Sequence, residues 1–237
     1  MFDVGLATRA LLAIARDVSD DRDLARQICQ ACVDGLEMDG AAISLLTTSP
    51  ARQTLWATDA TAERLEDLQF TLNEGACMEA ATSGRPVLVP DLHDSASAFA
   101  RWPVFAAAVV EQTAVRGLFA LPLQWGAVNL GVLDLYRRRP GALSATQYRD
   151  LFSAADTAAL MMLGLRTDPG STDWLDPTVN NRAEIHQATG MVLVQLGVSP
   201  SDALARMRAH AFVEQRLLID VARDVVARRV VFTEEMS

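Results

Sequence analysis

The chain has 237 residues, half of them hydrophobic, and a formal net charge of −9. That length suffices for one large domain or two small ones with a sizeable core. All 21 basic residues are arginine, which excludes a P-loop lysine, a Schiff-base lysine and a Ser-x-x-Lys nucleophile. Two amphipathic segments open the chain, Gly5–Val18 and Asp21–Leu36, with Asp20 or Asp21 as cap of the second. The period then changes. Ala41–Thr48 and Thr54–Asp59 read as strands around a Ser-Pro turn, and Ala62–Leu68 reads as a short helix. A further short helix ends at Ser83 before Gly84, and a strand follows at Val87–Val89. Arg101–Glu111 is helical in pattern. Two strands then alternate around Gly126 as a hairpin. Their stretch Leu118–Tyr136 is broken by Gln124, Asn129 and Asp134, so it suits a hairpin and not a membrane span. A long helix runs from Ser144 to about Leu165, with Ser144 and Gln147 spaced as a capping box. The Asp-, Pro- and Gly-containing stretch Arg166–Pro177 is the domain boundary. Beyond it three helices are expected. The first has Asp176 as cap, Pro177 at its first position and Gly197 at its end. The second starts at Ser199-Pro200 and the third covers Gln215–Val230.

Footholds for enzyme chemistry are few. There is no Gly-x-Ser-x-Gly and no Gly-x-Gly dinucleotide loop, and His93, His186 and His210 lie far apart in no metal-ligand spacing. The expectation is a protein that is not an enzyme and holds neither cofactor nor metal. Three cysteines suit a reducing compartment. Cys29 and Cys32 form a Cys-x-x-Cys, but they share a helical stripe with Leu24, Ile28 and Leu36 and read as core. Cys77 reads as a packed thiol. A redox enzyme using Cys77, with Cys29 or Cys32 as resolving thiol, is the weakest of three functional readings. No leader pattern opens the chain, since Phe2 is followed by Asp3 and then Arg9, so a cytoplasmic location is expected.

The fold class is α+β: antiparallel strands with helices before, between and after them, then an all-α C-terminal domain. The run NEGACMEAATSGRPVLVPDL (Asn73–Leu92), RWPVF (Arg101–Phe105) and LFALPLQWGAVNLGVLDLYRRRPGALSATQYRDL (Leu118–Leu151) resembles a GAF domain over residues 1–165. The resemblance implies a central antiparallel sheet, a pocket for an unidentified small ligand on one face, and flanking helices that dimerise. It names no ligand. The Asn-Lys-x-Phe-Asp-Glu pattern of cyclic-nucleotide-binding members is absent, Cys77 is a weak site for a bilin, and His93 reads as a surface loop residue.

Residues 178–237 carry 7 Arg against 7 Asp plus Glu, whereas residues 1–177 carry 14 against 23. The C-terminal domain is thus neutral beside an acidic neighbour, but it is no basic arm. A DNA-reading helix-turn-helix fits poorly, because IDVARDVVARR starts apolar and acidic where base-reading side chains belong. RAEIHQATGMVLVQLGVSPSDALARMRAHAFVEQRLLIDVARDVV (Arg182–Val226) instead resembles an ANTAR domain. The resemblance implies a homodimer that binds paired hairpins in nascent RNA and so prevents terminator formation. Thr189 departs from the family's usual Ala-Lys-Gly, and Glu214-Gln215 stands where the family often has Asn. Candidate RNA contacts are Arg182, His186, Gln187, Thr189, Gly190, Arg206, Arg208 and His210. Arginine suits this task, since its planar fork stacks on bases and binds phosphate bidentately. Ile185, Val192, Leu196, Leu204, Leu218 and Val225 are the expected core. The first helix reads as two-faced, with Ile185, Thr189, Val192 and Leu196 on one side and Val179, Ala183, His186, Gly190 and Leu193 on the other. The alternative function is a signal-sensing module whose helical tail binds a protein partner, supported by the acidic charge and Thr189.

Overall fold

The computed structural model describes residues 5–14, 20–46, 53–126, 128–166 and 183–233. Its strands are β1 (Gly40–Leu45), β2 (Gln53–Ala57), β3 (Val87–Val89), β4 (Gly117–Trp125) and β5 (Val128–Arg137). They form one sheet in the order β2-β1-β5-β4-β3, with every neighbouring pair antiparallel. At the tip of the β4–β5 hairpin Gly126 holds φ +57°, a left-handed conformation that costs glycine no Cβ clash. The helices among the described residues are α1 (Leu6–Leu12), α2 (Asp21–Leu36), α3 (Ala60–Leu72), α4 (Ala76–Ser83), α5 (Ala96–Arg101), α6 (Pro103–Gln112), α7 (Ala145–Arg166), α8 (Ala183–Leu196), α9 (Pro200–Val213) and α10 (Leu218–Val226).

Strand periodicity sorts the core into two layers. Ile43, Leu133 and Leu135 face one side of the sheet and pack with Leu24, Ile28 and Cys32 of α2 and Leu151 and Met162 of α7. Their neighbours Ala42, Val132 and Tyr136 face the other side and pack with Leu65, Cys77, Phe105 and Val109 from α3, α4 and α6. A third core lies in the C-terminal helices. It contains every expected member except Leu196, which is half-buried at its edge.

Side-chain caps account for most helix limits. The Asp20 carboxylate accepts the Asp23 N–H at 2.6 Å to start α2. Ser144 and Gln147 exchange two bonds of 3.2 Å, the reciprocal box that their spacing predicts. Buried Asp150 on α7 accepts the Ala7 and Thr8 N–H groups at 2.9 and 3.1 Å and the Thr8 hydroxyl at 2.7 Å, so α7 caps α1. Where boundaries differ from expectation, the causes are local. Asp59 caps α3 at 2.7 and 2.9 Å, ahead of Ala62, and Asn73 at φ +55° closes it beyond Leu68. Helix α5 is unexpected. Ser95 caps it at 3.1 Å, the chain breaks at Trp102, and Pro103 starts α6. Helix α10 is shorter than Gln215–Val230, because Gln215 and Arg228 both adopt positive φ. Val18, Asp176, Pro177 and Val179 lie outside the described residues.

The layers also dispose of the redox pairing. Cys29 and Cys32 belong to the layer under α2, whereas Cys77 belongs to the opposite layer, with the sheet between them. Burial pushes the Cys29 thiol well above its ordinary range, reinforced by Cys32, Glu66 and Asp134. Burial, with Asp150 nearby, pushes Cys32 up to about 12. Neither is a thiolate at neutral pH.

Candidate nucleic-acid interface

The C-terminal module is built from three short helices that share one apolar seam. Ile185, Ala188 and Val192 of α8 meet Ala203, Leu204, Met207 and Ala211 of α9 and Leu218, Val221, Ala222 and Val225 of α10. These spacings of three and four place each set on one helical face. Gly197 at φ +64° ends α8, and the Ser199 hydroxyl accepts the Asp202 N–H at 3.2 Å to begin α9. Phe232 closes one end of the seam. Phe70, which belongs to α3 of the sheet domain, is also a member of this core.

The candidate residues part company in this frame. Gln187 is exposed and Gly190 half-buried, and a Cβ added at Gly190 would meet nothing within 4 Å among the described residues. Both line a shallow hollow of about 450 Å³ together with Met191, Val194, Gln195, Arg228 and Val231. Thr189 turns inward, as its place on the core side of α8 predicts. Its hydroxyl donates to the Ile185 carbonyl at 2.7 Å and approaches the Met207 sulfur at 3.8 Å. Arg208 turns toward the sheet domain. Its Nε donates to the Phe70 carbonyl at 3.1 Å, and its guanidinium lies 5.0 Å from the Phe70 ring centre. His210 packs edge-on to Phe232 at 5.3 Å, with Nε2 3.3 Å from a Glu214 carboxylate oxygen. Arg206 is half-buried on α9. Arg182 and the side chain of His186 lie outside the described residues.

Several arginines of the module are held by carboxylates. Arg216 contacts Glu214 at 3.0 Å and Asp224 at 2.5 Å, and Arg229 contacts Asp224 at 2.6 Å. Those two partners hold the Asp224 carboxyl below the usual carboxylate range. Arg223 reaches Glu184 at 3.0 Å and Asp220 at 3.6 Å. Arg228 differs. It is exposed, forms no ion pair among the described residues, and stands at the hollow beside Gly190 with φ +58°. Sequence reasoning missed it, because an arginine near a helix end reads first as a complement to the helix dipole. A cleft of about 530 Å³ is lined by residues of both domains. Trp56, Glu63 and Asp67 line one wall and Glu184, Asp220 and Arg223 the other.

Known proteins place both parts. The family model of the GAF domain, GAF_2, matches residues 18–162, and that of the ANTAR domain matches residues 175–226. No curated protein matches the chain in sequence. Among solved structures, the GAF domain of an Acinetobacter phosphoenolpyruvate-protein phosphotransferase is similar at 12% identity and TM-score 0.53, covering 69% of this chain and 95% of its own. The GAF domain of the Coxiella burnetii phosphoenolpyruvate-protein phosphotransferase is similar at 11% identity and TM-score 0.54, covering 68% and 92%. At such identities the likeness is one of fold. No helix among the described residues is long and apolar enough to cross a membrane. The chain therefore belongs to the GAF family and carries an ANTAR domain after it, a sensing domain joined to an RNA-binding antitermination module.

Proposed function

We propose that the protein is a cytoplasmic, homodimeric antiterminator with a sensing domain at 1–165, a linker at 166–177 and an RNA-binding domain at 178–237. The ANTAR match over residues 175–226 carries this reading. The C-terminal domain binds paired hairpins in nascent RNA, and the bound RNA is withheld from terminator formation. Hairpin loops offer unstacked bases to stacking and hydrogen-bonding groups. The hollow of Gln187, Gly190 and Arg228 supports contact there, because it joins an amide, a bare stretch of helix and an arginine outside any ion pair among the described residues. Arg182, His186 and Arg206 extend that set. Arg208 and His210 join it only after leaving Phe70 and Phe232, and Thr189 acts by fixing α8. A small ligand of the sensing domain sets the balance between these states.

A chain of net charge −9 attracts RNA weakly at long range. Affinity then comes from local arginines and from two linked sites acting together. The test is calorimetric binding of the full chain to a two-hairpin RNA and to a loop-scrambled control. The expected result is selective binding that weakens modestly with salt. Equal or absent binding to both RNAs sinks the reading and leaves the protein-partner alternative, for which exposed Val194 and Val231 in the hollow would be the contact.

A further inference from the structure

We infer that Glu66, Cys77 and Asp134 form a site for one divalent transition cation inside the sensing domain. The three residues come from α3, α4 and β5, so no spacing in the sequence brings them together. One carboxylate oxygen of each acid and the Cys77 sulfur all lie within 4.8 Å of one another. Glu66 and Cys77 are buried, at 1% and 0% exposure, and Asp134 is half-buried. A second feature meets this convergence. A cavity of about 10 Å³ lies beside the two carboxylates between α3 and the sheet; Glu66, Gln69, Asp134 and Tyr136 are its polar lining, the rest is apolar, and Cys77 stands outside it, next to the lining residue Ala76. That is room for one water-sized body.

The donor chemistry points to the class of ion. Two carboxylates this close inside a core repel each other unless a proton or a cation stands between them. A thiol beside them tips the choice toward a cation of borderline softness, such as Zn²⁺, Fe²⁺ or Co²⁺, over Mg²⁺ or Ca²⁺. Neighbouring groups orient the ligands. The Ser44 hydroxyl donates to Glu66 Oε2, and the Thr54 hydroxyl donates to the same oxygen at 3.2 Å. Gln69 ties two ligands together. Its Nε2 donates to Glu66 Oε1 at 3.4 Å, and its Oε1 accepts the Cys77 N–H at 2.7 Å. Such outer partners fix the direction in which metal ligands point. Bonds of about 2.1 Å to oxygen and about 2.3 Å to sulfur draw tetrahedral donors to roughly 3.6 Å apart, so binding pulls α4 and α3 inward by up to about 1 Å.

Cobalt is the probe. The full chain, treated with chelator and then titrated with Co²⁺, is expected to bind one ion and to gain thiolate-to-cobalt charge-transfer absorption in the near ultraviolet. Cys77→Ser should abolish that absorption, and Glu66→Gln or Asp134→Asn should weaken binding at least tenfold. Zn²⁺ should displace the cobalt and raise the Tm of the unmodified chain where Mg²⁺ does not. A folded chain that shows neither the absorption nor the Zn²⁺ shift overturns the assignment, with no variant needed. Absorption that survives in Cys77→Ser overturns it as well, since the sulfur would then belong to Cys29 or Cys32.

Discussion

Gly190 sits in the middle of α8, where glycine costs about 1 kcal/mol relative to alanine in an exposed helix. Among the described residues nothing requires the missing side chain, because an added Cβ meets none of their atoms within 4 Å. The glycine is therefore not explained by packing within its own domain. Close approach by an RNA backbone or a second helix would account for it. Gly190→Ala should raise thermal stability by up to about 1 kcal/mol through helix propensity alone. Gly190→Leu should weaken binding of the two-hairpin RNA or shift the monomer–dimer balance, with melting little changed. Sedimentation and RNA titration on the two variants check this, and unchanged behaviour in both means the glycine is merely tolerated. The sequence marked this position because a glycine inside a helical pattern is locally anomalous. It gave no such mark to Arg228, whose place beside Gly190 depends on how the chain turns after α10.

At the scale of elements, most helices and strands were legible, since their limits depend on caps and periodicity that are local. The capping box of α7, the Asp20 cap of α2 and the Gly126 hairpin are of this kind. Helix α5 was not legible, because six residues cut off at Trp102 give too short a pattern to separate from the helix that follows. The end of α10 is set by charge as well as by backbone. Arg216 reaches Asp224 from before the helix and Arg229 from after it, so one carboxylate ties both ends of α10. Arg216 first, then Arg229, depress the Asp224 pKa below its unfolded value. A depressed carboxylate stabilises the fold above its unfolded pKa of about 3.9, and that contribution disappears as pH falls through the folded value. Asp224→Asn should therefore lower the melting temperature of the C-terminal helices near neutral pH. The gap between variant and wild type should close below about pH 4. Melting curves from pH 3 to 7 test this, and a gap that persists unchanged into acid contradicts the role given to Asp224.

The relation between the two domains was the least legible level, and its decisive residue shows why. Phe70 lies in LQFTL on α3, where nothing distinguishes it from any other core residue of the sensing domain. Yet its side chain, 2% exposed, belongs to the core of α8, α9 and α10. Arg208 covers it, and the Leu218 N–H donates to the Thr71 hydroxyl at 3.2 Å beside it. An arginine that is a candidate RNA contact is thus engaged by the sensing domain. Glu66 lies one turn before Phe70 on the same helix, so a cation or ligand that draws on Glu66 acts on the element that holds the C-terminal module. Truncating a buried phenylalanine costs about 3–5 kcal/mol, enough to undo a contact made by so few residues. Phe70→Ala should loosen the module from α3, read as faster hydrogen exchange at Leu218 and along α9. If this contact restrains Arg208, the same variant should bind the two-hairpin RNA more tightly than the wild type. Faster exchange without tighter binding means that the contact joins the domains but does not restrain RNA recognition. Exchange as slow as in the wild type means that Phe70 is not what holds them together.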